Sequence, residues 1–167
     1  MTRISEQELM ATLKGNPDIR CAETVLRLPE SEGPLRYRAA HSIGAPVPDE
    51  DQEQAVVIAW AAAHEGKWPE LEFLYHVPNG GSRDKATGAM LKRTGVKAGV
   101  LDLNLPVARG GFHGLWIEMK KCDHSNHPSA KQKRWIDVLR REGHRVEVCY
   151  GAEEAIDVLQ DYLKSEK

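Results

Sequence analysis

The sequence predicts an α/β domain in which a mixed central β-sheet is flanked by helices. Three observations point there. Helix and strand signals follow one another from residue 48 to residue 164 as helix, strand, helix, strand, strand, helix, strand, helix, a pattern that suits a sheet covered by helices. Two apolar strands, Val100 to Leu105 and Gly114 to Lys120, adjoin across Ala108-Arg109-Gly110-Gly111, a hairpin turn signal. The chain has 167 residues, 41% apolar and 29% charged, enough for one core and short for two.

Each element has a local reason. Ser5-Glu6-Gln7-Glu8 fits a capping box, so a short helix is expected from Glu6 to Lys14, stopped by Gly15-Asn16-Pro17. Asp18 to Pro48 carries Pro29, Pro34, Pro46 and Pro48 with little periodicity, which predicts an irregular, mildly basic arm. Residues 1–47 are therefore read as helix and arm, and 48–167 as the main domain. Pro48-Asp49-Glu50-Asp51 opens a helix to about His64, its acids at the positive end of the helix dipole. Leu71 to Val77 reads as a strand, Pro78 to Ser82 as a turn, and Asp84 to Thr94 as a helix stopped by Gly95. After the two central strands, Ser129 starts a helix ending at Gly143. Arg145 to Tyr150 reads as a strand and Ala152 to Lys164 as an amphipathic helix.

Composition limits the partners. No apolar run approaches the roughly 20 residues of a membrane helix, and the start lacks the apolar stretch of a secretory signal. Cys21, Cys122 and Cys149 are odd in number and far apart, as suits reduced thiols, so a cytoplasmic setting is expected. A net charge of −2 argues against a uniformly basic nucleic-acid binder. The distribution differs: Asn79 to Arg109 and Glu118 to Arg145 each carry a net +4, while Asp49 to Glu72 holds seven acids and one lysine. Local basic surface is what a phosphate backbone meets.

The chemistry centres on Asp102, Glu118 and Lys120. Side chains on a strand alternate, so Glu118 and Lys120 share one face while Ile117 and Met119 take the other. If the strands pair, Asp102 approaches Glu118. Acid-x-Lys on a strand is usually a simple ion pair, but two carboxylates and an ammonium in so apolar a setting need a partner. A hard divalent cation is a natural one, taking carboxylate oxygens plus substrate phosphate. The combination points to metal-dependent phosphodiester cleavage. Other residues carry two readings. Ser129-x-x-Gln132 is itself a capping box. Glu50 and Glu53 both stand at a helix start where acids are expected, and chemistry does not choose between them. Asn79 and its glycines suit a tight turn or a close approach to DNA. Cys122-x-His124-x-x-His127 offers three ligands to zinc with no fourth nearby, so a loop beside the site is expected instead.

Together, several stretches resemble a known family. They are His76-Val77-Pro78-Asn79-Gly80-Gly81, Lys97-Ala98-Gly99-Val100-Leu101-Asp102-Leu103, His113-Gly114-Leu115-Trp116-Ile117-Glu118-Met119-Lys120, Ser129-Ala130-Lys131-Gln132 and Gly143-His144-Arg145-Val146. In this order they resemble the VRR-NUC domain of the PD-(D/E)XK nuclease superfamily, in its small stand-alone form common in phages and prophages. The resemblance implies a restriction-endonuclease-like core with Asp102, Glu118 and Lys120 as its catalytic signature and Gln132 as the polar residue opening the next helix. It also implies a glutamate at the first helix, which alignment on Gln54 and Trp60 places at Glu50, with Glu53 the alternative. Leu101 departs from the family's usual proline, a residue that shapes the strand.

The implied activity is a magnesium-dependent DNA endonuclease, with manganese a substitute and no nucleotide cofactor. Asp102, Glu118, the Met119 backbone carbonyl and Glu50 would hold the metal, and Asn79, Arg83, Lys92, Arg93, Lys97 and Lys131 would contact DNA. The expected substrate is branched DNA such as Holliday junctions, cut by a homodimer. The rivals are a monomeric flap, end or nick nuclease and a non-catalytic DNA-binding module.

Overall fold

The computed structural model describes residues 47–78, 90–91 and 93–166. The expected helix from Glu6 to Lys14, the arm up to residue 46, and Asn79, Arg83 and Lys92 lie outside the described residues.

Helix α1 runs Glu50–His64. Asp49 starts it with a capping box: its carboxylate accepts from the Gln52 N–H at 2.9 Å, and the Gln52 side chain accepts from the Asp49 N–H at 3.0 Å. Four strands follow, β1 (Tyr75–His76), β2 (Leu103–Leu105), β3 (Leu115–Lys120) and β4 (Arg145–Tyr150), with α2 (Ala130–Arg141) before β4 and α3 (Ala152–Lys164) after it. The sheet order is β1-β2-β3-β4. The first two pairings are antiparallel and β3 runs parallel to β4, which gives the mixed sheet that the element order predicts. Met90, Leu91 and Arg93 are helical, and Gly95 stops that turn at φ +96, where glycine carries no Cβ penalty.

One expectation is corrected. Leu71 to Val77 is not a continuous strand: Pro69–Phe73 forms a 3₁₀ helix, and only Tyr75–His76 pairs with β2. Pro69 sits in the first turn, where its missing N–H costs nothing. Leu71 enters the core at 2% exposure, while Phe73 and Tyr75 face outward. The short strand therefore forms the sheet's edge.

The hairpin between β2 and β3 closes on Arg109-Gly110-Gly111-Phe112, one residue later than the expected Ala108-Arg109-Gly110-Gly111. Arg109 and Phe112 exchange backbone bonds at 3.2 and 2.9 Å, and both glycines have positive φ, +57° and +79°. Two left-handed central residues make a type I′ turn, whose twist matches that of paired strands.

Alternation along β3 divides the core in two. Leu115, Ile117 and Met119 pack with Leu103 and Leu105 against α1 and α3, through Val57, Trp60, Ile156 and Leu159. On the opposite face Trp116 and Val148 pack against α2, where Ile136 and Leu139 join Leu101 and Val146. Glu118 and Lys120 follow Trp116 on that second face.

Candidate active site

The pairing of Leu103 with Ile117 brings the next residues outward, Asp102 and Glu118, level with each other at one end of the sheet. Asp102 stands just before β2, and its Oδ2 accepts from the Met119 N–H at 2.8 Å. Its backbone oxygen accepts from the Val77 N–H at 2.8 Å and lies 3.1 Å from the His76 Nδ1, so β1 braces this corner. Glu118 is wholly buried and Lys120 is 4% exposed.

Charges are concentrated there at real cost. Burial pushes the Glu118 carboxyl up to about 7, and the nearby Asp102 carboxylate adds to the rise against the opposing pull of Lys120. Burial also raises Asp102, although the Met119 N–H and Lys120 act against it. The Lys120 ammonium would be lowered by its own burial; its bonds to Glu118 and Glu50 outweigh that and hold it above its ordinary value. Lys120 is the cation of the cluster. Its Nζ lies 2.7 Å from the Glu118 Oε1, 2.6 Å from the Met119 carbonyl oxygen and 3.1 Å from the Glu50 Oε1.

Gln132 unites its two readings. Its carbonyl oxygen accepts from the Ser129 N–H at 2.8 Å and its own backbone N–H reaches the Ser129 hydroxyl at 3.3 Å, completing the capping box of α2. Its amide NH₂ also donates to the Glu118 Oε1.

The two helix acids separate cleanly. Glu50 turns to Lys120 and to the Asn126 amide, which donates to its Oε1 at 2.6 Å. Glu53 is fully buried and accepts from the Ala152 N–H at 2.8 Å. Helix α3 begins on Gly151, which has no side chain to cap it, so Glu53 serves from α1 as the acceptor at that helix end.

Of the expected DNA contacts that are described, Arg93, Lys97 and Lys131 are exposed. Gly99, at φ +82, lies against the first turn of α2, where a Cβ would come within 2.6 Å of the Lys131 Cβ. Only glycine lets the segment bearing Lys97 approach Lys131 so closely.

The Cys122, His124 and His127 side chains are engaged with other groups, the two histidines with the same tyrosine. The Cys122 thiol is pushed up to about 11 by burial and then by the Glu53 carboxylate. The His124 ring stacks on Tyr150 at 4.0 Å, and the His127 Nδ1 is 2.8 Å from the Tyr150 hydroxyl. Among the described residues no cluster of three His, Cys, Asp or Glu side chains is arranged to hold a metal. A metal at Asp102 and Glu118 therefore needs backbone or substrate oxygens as well. The donors offered there are all oxygens, the preference of a hard cation and not of zinc. The Glu118 Oε2 is buried with no hydrogen-bond partner among the described residues, an oxygen suited to such an ion.

Two neighbours were not singled out in the sequence. His76 lies within a stretch that carries the family resemblance. Asn126 gives no local signal, because its contact with Glu50 joins residues far apart in the chain.

The family profile described as VRR-NUC domain matches residues 48–153. Among solved structures, one described as "VRR_NUC domain protein" is 35% identical, covering 74% of this chain and 94% of its own, with a TM-score of 0.62. A comparison with curated proteins gives no match. The chain therefore belongs to the VRR-NUC family, a nuclease-type domain consistent with the PD-(D/E)XK superfamily.

Proposed function

We propose that this protein is a magnesium-dependent DNA endonuclease, selective for structure over sequence, that cuts branched DNA such as four-way junctions as a homodimer. The observation that carries the reading is the half-buried Asp102 carboxylate, just before β2, level with the fully buried Glu118 of β3, whose carboxylate meets the Lys120 ammonium. Such a pair is costly as a purely structural device and useful beside a phosphate.

Asp102, Glu118 and the Met119 carbonyl would hold the divalent ion, with Glu50 at the margin. When bound, that ion supplies positive charge to the scissile phosphate and makes water a better nucleophile at neutral pH. Lys120 orients the attacking water or offsets the charge developing on the phosphate, a job for which its fixed, protonated state fits it. Gln132 steers Glu118 by holding one of its oxygens. Glu50 keeps the ammonium from swinging away. Arg93, Lys97 and Lys131, with Arg83, Lys92 and Asn79, contact the DNA backbone. Paired cuts across a junction need two active sites, which a twofold dimer supplies.

The test is the purified protein, with magnesium, on duplex, flap, fork and four-way junction DNAs, alongside its mass in solution. Paired symmetric cuts in the junction by a dimer are expected. Cutting confined to flaps, ends or nicks by a monomer would replace this reading with that of a single-site nuclease. Binding without any cutting would leave a DNA-binding module.

A further inference from the structure

The loop between β3 and α2, which the sequence marks only by Cys122, His124 and His127, presses one unassigned side chain onto the site. The half-buried Asn126 donates from its amide to the Glu50 Oε1 at 2.6 Å, and its own carbonyl oxygen accepts from the Lys121 N–H at 3.2 Å. Lys121 directly follows Lys120. The Glu50 oxygen that takes the Asn126 amide is the one that takes the Lys120 ammonium at 3.1 Å.

We infer that Asn126 is a positioning residue of the active site, holding Glu50 to the end of β3 and thereby fixing the Lys120 ammonium.

The physical case rests on mobility. Glu50 sits in the first turn of α1 with its side chain 35% exposed, and Lys120 has a long, flexible stem. Each would lose substantial rotamer freedom when held. One carboxylate oxygen receiving two donors from fixed directions restricts both partners, and charge-assisted bonds are the strong ones.

The loop is built to hold Asn126 still. On one side of it, the His124 N–H bonds the Lys121 carbonyl at 3.0 Å and the Ser125 N–H bonds the Asp123 carboxylate at 2.9 Å. His124 takes a left-handed backbone, φ 59, and lays its ring on Tyr150. On the other side, His127 meets the Tyr150 hydroxyl. Tyr150 is the register partner of Lys120, so the loop is pinned to the same strand end on which the ammonium is carried.

Asparagine is also the residue the geometry requires. Its carbonyl end serves Lys121 and its NH₂ end serves Glu50. Asn126→Asp keeps the first bond and replaces the second with carboxylate repulsion, whereas Asn126→Ala removes both. A role limited to shaping the loop is spared by Asn126→Asp. A role toward Glu50 is not.

The inference takes its catalytic meaning from the proposed nuclease reading, and two measurements keep the two separable. On junction DNA with magnesium, both variants are expected to lower kcat by about 10- to 100-fold, with KM and calcium-supported DNA binding unchanged. Asn126→Asp is expected to keep the wild-type melting temperature. By NMR, the Glu50 carboxyl carbon, assigned through Glu50→Gln, is expected to move in both variants without any DNA or metal. Wild-type kcat in Asn126→Asp, or an unmoved Glu50 resonance, overturns the inference. If the wild-type protein cuts no DNA, the nuclease reading falls, and the resonance alone decides whether Asn126 holds Glu50.

Discussion

Gln132 divides one side-chain amide between two duties, its oxygen capping α2 at the Ser129 N–H and its nitrogen donating to the Glu118 carboxylate. A helix start and a buried acid thus share one residue, and the two duties can be separated. Gln132→Glu retains an oxygen for the cap but sets a second carboxylate against Glu118. Cleavage should fall by about 10- to 100-fold with little change in melting temperature. Gln132→Ala should also lose about 1 kcal/mol of stability with the cap. Thermal melts and single-turnover rates on one DNA substrate check both.

Asp102→Asn, Glu118→Gln and Lys120→Ala should each reduce cleavage by at least ~100-fold, the scale of removing one charge stabiliser from a transition state. Binding to junction DNA in calcium should survive. Near-normal turnover by Asp102→Asn under matched magnesium would remove the assignment of the pair.

Glu50 and Glu53 should fail in different ways. Glu50→Gln should slow cleavage with the melting temperature unchanged, because its partners are Lys120 and Asn126 at the margin of the site. Glu53→Ala should destabilise the fold by about 1–3 kcal/mol, because it strips a buried acceptor from the start of α3. Paired melting and rate measurements distinguish them, and the reverse pattern would exchange their roles.

The pH dependence of stability follows from Glu118. Its carboxyl titrates near 7 in the folded protein and near 4.5 in the unfolded chain. The native state therefore binds more protons between those values, and stability declines as pH rises from about 4.5 to 7. Glu118→Gln lacks this loss, so its stability relative to wild type should improve across that window, by on the order of 3 kcal/mol at most. Urea titrations at several pH values measure it; a constant difference would mean that the carboxyl is not raised.

Binding should weaken steeply with salt, since phosphate contacts release counterions. Lys97→Ala and Lys131→Ala should each lower the log–log salt slope by about one, with little effect on base preference. A salt titration of junction binding in calcium reads the slope. A flat titration would favour a sequence-reading protein.

How much of this was legible depended on the distance over which each feature is determined. The meeting of Asp102 with Glu118 and Lys120 could be read because strand alternation and a tight Gly-Gly hairpin are local properties, and they set the register. The stretch from Leu71 to Val77 was misread because Leu71 and Leu74 are spaced by three behind Pro69, a 3₁₀ pattern within an apolar run. The family resemblance favoured Glu50, but residue chemistry alone left Glu50 and Glu53 open for a different reason. Both sit within one turn of α1, while their partners stand 70 and 99 residues away, at Lys120 and Ala152. Asn126 was invisible on the same ground, 76 residues from Glu50.

The alternation of β3 also ties folding to competence. This one strand supplies Leu115, Ile117 and Met119 to the larger core while Glu118 and Lys120 occupy its other face. A slip of one residue against β2 or β4 would exchange those sets, driving a carboxylate and an ammonium into the packing of α1 and α3. Such a chain could not remain folded. The apolar packing that selects the register of β3 thus also aims the charged pair, so correct folding and a correctly assembled candidate site are one event.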